Sequence, residues 1–300
     1  MRPRDMALAA LTSIIWGLGF VAGKFGLESF SPAQLTAARF VIACLPVVLV
    51  PRPRISWSAI VPIGSTLFTG QFLFMFFAFD HGLPPGVASV SQQMQAFFTV
   101  LLGAVVLREL PSRQQIIGMA MAFAGLVLIG STAGADLKLV GLALGLAAAA
   151  SWAVGNVLVK REANVPVFPL VVWCSLVPPL PAMLVSRVFD GHVDLAGAFL
   201  HASWLSLGAV VYLGVFATVL AYATWGYLLQ RYSTGAVAPF ALLSPCAGVV
   251  PSALIFGELP SPTRYAGMAL IVAGLVVVVL PARVYSAAAA AVDRARRSKS

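Results

Sequence analysis

Carboxylates are scarce in this chain: ten Asp and Glu stand against nineteen Lys and Arg, with three His and three Cys, and charged side chains make up 10% of the 300 residues. The few acids and histidines are dispersed, so no set has metal-ligand spacing. No phosphate-cradling glycine loop or nucleophile elbow appears either. These absences exclude an ATP-driven pump and a membrane-embedded hydrolase, and no cofactor is implied. Cys44, Cys174 and Cys246 fall in separate apolar stretches, which excludes a disulfide framework or a zinc site and leaves them as small packing residues. The net charge of +9 comes from basic residues scattered over short loops and a tail, so it does not build a nucleic-acid surface. What is abundant is apolar: 60% hydrophobic residues and a mean hydropathy of +0.95, values that exclude a soluble globular domain. Apolar segments long enough to span a bilayer recur along the whole chain, which excludes a secreted protein with one leader segment. The chain reads as an all-α integral membrane protein whose partners are the lipid bilayer and a small molecule. Nothing in it sets an oligomeric state.

Glu109-Leu110-Pro111-Ser112, Gly118-Met119-Ala120 and Ala124-Gly125-Leu126-Val127 return 149 residues later as Glu258-Leu259-Pro260-Ser261, Gly267-Met268-Ala269 and Ala273-Gly274-Leu275-Val276. Trp16, Gly19 and Lys24 return as Trp152, Gly155 and Lys160 at an offset of 136. Both ends of a half-length unit therefore recur in order, and the chain is two copies of one unit. Pro, Gly and charge clusters cut it into ten expected spans: 6–27, 33–51, 57–79, 86–107 and 113–132, then 138–160, 167–189, 203–229, 235–257 and 263–282. Five spans per copy is an odd number. The second copy must then enter the bilayer in the opposite sense, giving two inverted five-helix repeats over residues 1–132 and 138–283, with a basic tail over 284–300.

Charge tests that topology. With the N-terminus inside, the cytoplasmic cations are Arg2, Arg4, Arg52, Arg54, Arg108, Arg113, Lys160, Arg161, Arg231, Arg283, Arg294, Arg296, Arg297 and Lys299, while outer loops and span ends hold only Lys138, Arg187 and Arg264. The bias puts both termini in the cytoplasm. Glu109 then lies inside and Glu258 outside, and Trp57 and Trp204, opening spans 3 and 8, mark interfaces on opposite sides.

Ten spans in two units, the Trp-Gly-x-x-Phe-Val-x-x-Lys stretch from Trp16 to Lys24, and the Glu-Leu-Pro junction before the last span of each half resemble the EamA family of the drug/metabolite transporter superfamily over residues 5–282. Arg39-Phe40, the run from Gln93 to Thr99, Ser151-Trp152-Ala153 with Gly155-Asn156, and Tyr232 before Val237-Ala238-Pro239 are most similar to the family's bacterial O-acetylserine/cysteine exporters. The resemblance implies an inner-membrane exporter of amino acids and related metabolites, with a central cavity between the halves that opens alternately to each side. The tail lies outside it.

Polar groups within spans need partners or water, which makes them the candidates for substrate binding. Lys24 and Arg39 are the two cations within spans. Together they form an electropositive site for a carboxylate, with Arg39 able to grip it by a bidentate fork. Alternatively Lys24 pairs with Glu28 and Arg39 binds helix-end carbonyls. In span 4, Gln92 and Gln95 share a face while Gln93 points elsewhere; Gln71 and Asn156 are further amides within spans, and each amide is either a substrate contact or helix-bridging glue. Trp16, Trp152, Tyr222 and Trp225 are amphipathic rings near span centres, suited to lining a path and holding an ammonium by a ring face, or to helix packing. Pro178, Pro179 and Pro181 should kink span 7, and Pro239, Pro245 and Pro251 should disturb span 9. Gly141 and Gly145 make a Gly-x-x-x-Gly that could serve a dimer face.

Every acid and every histidine falls at span ends, loops or termini, so proton relays are missing from the span centres and facilitated efflux is the expectation. The reading is an exporter of small amino-acid-like metabolites, cysteine and O-acetylserine first. The alternatives are an exporter of aromatic amino acids, purines or cationic drugs, and a non-transporting structural or regulatory membrane protein.

Overall fold

A computed structural model describes residues 1–279 apart from 107, 109–110, 135, 163–164, 192–193, 233–236, 238–239, 242 and 258. Glu109, Glu258, Pro239 and the basic tail therefore lie outside the described residues. Among those described, seven helices are long and apolar enough to cross a membrane: α1 (Pro3–Gly26), α3 (Trp57–Asp80), α4 (Pro85–Val106), α5 (Arg113–Gly130), α6 (Leu139–Arg161), α7 (Val167–Phe189) and α8 (Trp204–Leu228). Three apolar helices are shorter: α2 (Pro32–Cys44), α9 (Leu243–Phe256) and α10 (Pro262–Val279). The expected span over 33–51 is thus corrected, while residues 235–236, 238–239 and 242 of the expected span over 235–257 lie outside the described residues. The first is an α-helix only to Cys44, where Pro46 lies in a 3₁₀ turn, Leu45–Val48. In the second, described helix resumes at Leu243 and tolerates Pro251 within it. The proline cluster does interrupt α7, which is helical over Val167–Cys174 and again over Pro179–Phe189.

The repeated Glu-Leu-Pro-Ser junction has a structural cause. Ser112 caps α5 in a capping box with Gln115 (3.2 and 2.7 Å), and Ser261 accepts the Arg264 amide at the start of α10 (3.3 Å). The last helices of the two copies then cross antiparallel. A Cβ on Gly118 would meet the Gly274 carbonyl and one on Gly125 the Gly267 carbonyl, with the reciprocal contacts also present. Because Gly118 corresponds to Gly267 and Gly125 to Gly274, each contact maps onto the other when the copies are exchanged, as at a twofold axis. Backbones approach this closely only where both faces lack side chains. Gly141 and Gly145, by contrast, lie against His81, Leu83 and Ala78 of the same chain, so their face is used within the molecule.

The two copies also share a backbone irregularity. α3 widens to π-helical turns over Ser65–Gly70 and α8 over Tyr212–Leu220, each after eight α-helical residues that open with Trp57 or Trp204. A wide turn leaves carbonyls without the usual donor. The first helix of the other copy supplies one in each case: Ser151 Oγ donates to the Thr66 carbonyl (2.7 Å) and Trp16 Nε1 to the Ala217 carbonyl (3.1 Å).

One end of the bundle is tied by Tyr232 Oη donating to Asp5 (2.5 Å) and Trp173 Nε1 to the Val50 carbonyl (3.0 Å). At the other, Ser31 and Ser186 both donate to Asp190 (2.5 and 2.6 Å), and Arg264 holds Asp136 at 2.6 Å. Trp57, Trp204, Val105, Leu184 and Leu254 are exposed on the outside of the bundle, as lipid-facing side chains would be.

Candidate functional site

Between the copies lies a cavity of about 420 Å³. It gathers nine of the ten candidate residues: Trp16, Arg39, Gln71, Gln92, Gln95, Trp152, Asn156, Tyr222 and Trp225. The tenth, Lys24, is elsewhere. Its ammonium sits 4.4 Å from the Phe256 ring centre, beside a second void that Asp136 and Arg264 also line, so it does not share a pocket with Arg39. The residues lie on one helix after another, and the backbone irregularities decide which side chains point inward. The end of the α3 wide turn delivers Phe68, Gln71 and Phe72. In α4 the bonds Gln93 N to Val90 O, Gln95 N to Gln92 O and Ala96 N to Gln93 O each span three residues, tightening the helix at mid-span. That tightening corrects the expected facing of Gln93: it lines the cavity together with Gln92 and Gln95.

Arg39 is the electrostatic centre. It is 3% exposed, and no carboxylate lies within ion-pair distance among the described residues. Its Nε donates to Thr218 Oγ1 (2.9 Å) and its guanidinium carbon lies 3.7 Å from the Phe72 ring centre. Glu162, at the end of α6, is the one other formally charged residue on the cavity wall among those described. Close by, Gln71 Oε1 and both amide atoms of Gln92 are buried without hydrogen-bond partners. Each such orphan costs roughly 1–3 kcal/mol. Asn156 is better satisfied: its amide donates to Gln95 Oε1 (3.0 Å) and Thr99 Oγ1 (3.3 Å), bridging α6 to α4.

The rest of the wall is mixed aliphatic and aromatic, and its rings are in mutual contact. Trp16 packs on Trp225 and Tyr222 at 5.2 and 5.3 Å between ring centres, and Tyr222 meets Phe68 edge-on at 5.9 Å. From Phe68 the contacts continue through Phe40 to Phe72. The site can therefore hold an anionic group at Arg39, hydrogen-bonding groups at the amides and an apolar or cationic moiety against the rings. Residues that pattern reading did not select are Gln93, Phe72 and Cys174, all on the cavity wall, and Thr218 behind it. Phe68, Phe72, Phe76 and Phe79 recur at helical spacing in one span, a stripe the sequence does display; Thr218 carries no comparable signal.

Residues 5–131 and 139–280 each match the EamA-like transporter family. The chain belongs to that family. As an EamA-like transporter it is 39% identical to a probable amino-acid metabolite efflux pump of Salmonella typhimurium, over 95% of this chain and 97% of the relative. It is 36% identical to a protein of the same description from Escherichia coli K12, over 92% and 94%. A probable terminal-alkyne amino-acid exporter of Streptantibioticus cattleyicolor is 27% identical over 89% and 91%. A crystal structure covering 93% of this chain and 98% of its own shares the fold, with a TM-score of 0.63 at 23% identity.

Proposed function

We propose that this EamA-like transporter exports amino-acid-like metabolites across the bacterial inner membrane by alternating access, with cysteine and O-acetylserine as first substrates. The observation that carries the reading is Arg39: a buried cation with no acidic partner among the described residues, facing a cavity lined by Gln71 and Gln92, whose amides hold unpartnered atoms. A substrate carboxylate supplies the missing counter-charge, and bidentate pairing orients it. Gln71, Gln92 and Gln95 offer acceptors and donors to the rest of the molecule, and Trp16, Trp152, Tyr222 and Trp225 enclose it. The descriptions of the relatives from Salmonella typhimurium and Escherichia coli agree with this class.

Ten spans in two inverted units, over 1–132 and 138–283 with both termini cytoplasmic, account for the antiparallel glycine crossing and for the excess of cations at the end that carries Arg52, Arg54, Arg161 and Arg231. The cavity extends to the half-buried Glu162 at that same end. With no carboxylate or histidine beside Arg39 among the described residues to carry a proton, transport is facilitated and follows the substrate gradient. Efflux of labelled cysteine from proteoliposomes tests the reading. Saturable efflux indifferent to an imposed pH gradient supports it, whereas concentrative export driven by that gradient overturns facilitated transport. The length of the aromatic wall favours a second reading, export of aromatic amino acids, which predicts that phenylalanine outcompetes cysteine. A folded protein that moves no amino acid would speak for a non-transporting role.

A further inference from the structure

We infer that Thr218, which does not touch the cavity, is the positioning residue that aims Arg39 into it, and that the wide turn of α8 is what allows it to do so. This rests on the carboxylate reading of the cavity. Thr218 is fully buried and its hydroxyl is used twice: it accepts from Arg39 Nε (2.9 Å) and donates to the Leu213 carbonyl (2.8 Å). That carbonyl is five residues back, within the π-helical run Tyr212–Leu220. In a regular helix a threonine reaches three or four residues back; here the wider turn shifts the acceptor and fixes the rotor, so the hydroxyl lone pairs point toward α2. Gly214 sets the separation. A Cβ there would lie 2.9 Å from the Arg39 carbonyl and 2.8 Å from Ile42, so α2 and α8 touch directly beneath the arginine.

The consequence is a division of labour among the guanidinium donors. Nε is held by Thr218 and one face by Phe72 at 3.7 Å. The two terminal nitrogens hold no protein acceptor among the described residues. They form the end that meets a carboxylate head-on through two parallel hydrogen bonds, and the constraint on Nε keeps that end turned toward the cavity. An arginine without this constraint would retain its charge and lose its aim.

The test is efflux of labelled L-cysteine from proteoliposomes, competed by unlabelled cysteine or by cysteinamide, which lacks the carboxylate. Wild type should favour the acid over the amide. Thr218→Val, which keeps the shape and removes the hydroxyl, should raise the KM for cysteine on the order of tenfold with little change in kcat. Its affinity for cysteinamide should stay the same, and Thr218→Ser should restore the wild-type ratio. Thr218→Ala serves the same purpose should the valine variant fail to fold. A cysteine-to-cysteinamide ratio unchanged in Thr218→Val or Thr218→Ala, while Arg39→Gln abolishes it, overturns the role of Thr218 alone. A serine variant as impaired as valine does the same. Wild-type protein that does not distinguish acid from amide overturns the carboxylate reading itself.

Discussion

The two halves of this transporter have the same skeleton and different chemistry. Each has a serine-capped last helix, a glycine-lined crossing and a wide turn in its third helix, the carbonyl of which is satisfied by the first helix of the other half. Each wide turn even carries a threonine bonded to a carbonyl five residues back, Thr69 to Gly64 and Thr218 to Leu213. Yet only Thr218 faces an arginine. The first half supplies Arg39 and the glutamines, while the second supplies Trp152, Asn156, Tyr222 and Trp225. The facing segment of the second half, Val167–Cys174, contains no cation. A duplicated scaffold relates the two halves by a pseudo-twofold axis, and the unequal lining makes the two walls of the space between them chemically different.

Breaking the chemical asymmetry should have the largest effect. Arg39→Gln removes the one buried cation that faces the cavity among the described residues, and efflux should fall on the order of a hundredfold, read as initial rate in proteoliposomes at equal protein incorporation. Breaking the shared skeleton comes next. Gly125→Val drives a side chain into the Gly267 carbonyl, which a Cβ already reaches at 2.4 Å, and should cost about 2 kcal/mol of stability. Gly130→Ala, whose nearest neighbour is a Leu142 methyl at 3.8 Å, is the matched control, and thermal unfolding in detergent separates the two.

Gln92→Met should part stability from transport. It removes two unpartnered buried polar atoms, so the empty protein should gain about 1 kcal/mol while the KM for cysteine rises several-fold. The smallest effect concerns the outer tie. The hydrogen bond from Arg264 holds the Asp136 carboxyl below its usual 3.8. A lowered carboxylate contributes stability that is fully present above the unfolded value and is lost as pH falls through the folded one. The contribution of this pair to the melting temperature should therefore be constant between about pH 5 and 8, with Asp136→Asn melting below wild type chiefly in that range and converging with it in stronger acid.

Much of this was legible in the sequence because duplication and hydropathy are linear signals. The repeated serines and glycines follow from spacing, and the nine candidates that line the cavity were chosen as polar or amphipathic side chains within apolar spans. What was not legible depends on departures from helical periodicity. Gln93 faces the cavity because α4 tightens at mid-span, and Thr218 meets Arg39 because α8 widens; neither change alters the residue pattern from which faces are counted. Lys24 was grouped with Arg39 because both are cations within spans. The distinction lies in tertiary packing, where α1 carries Lys24 to Phe256 of α9.

The most direct test is a structure determined with cysteine bound. A carboxylate on the terminal nitrogens of Arg39, at about 2.8 Å, with Gln92 newly hydrogen-bonded, is the expected result. A substrate seated elsewhere in the cavity, making no bond to the terminal nitrogens of Arg39 or to the Gln92 amide, would contradict the account.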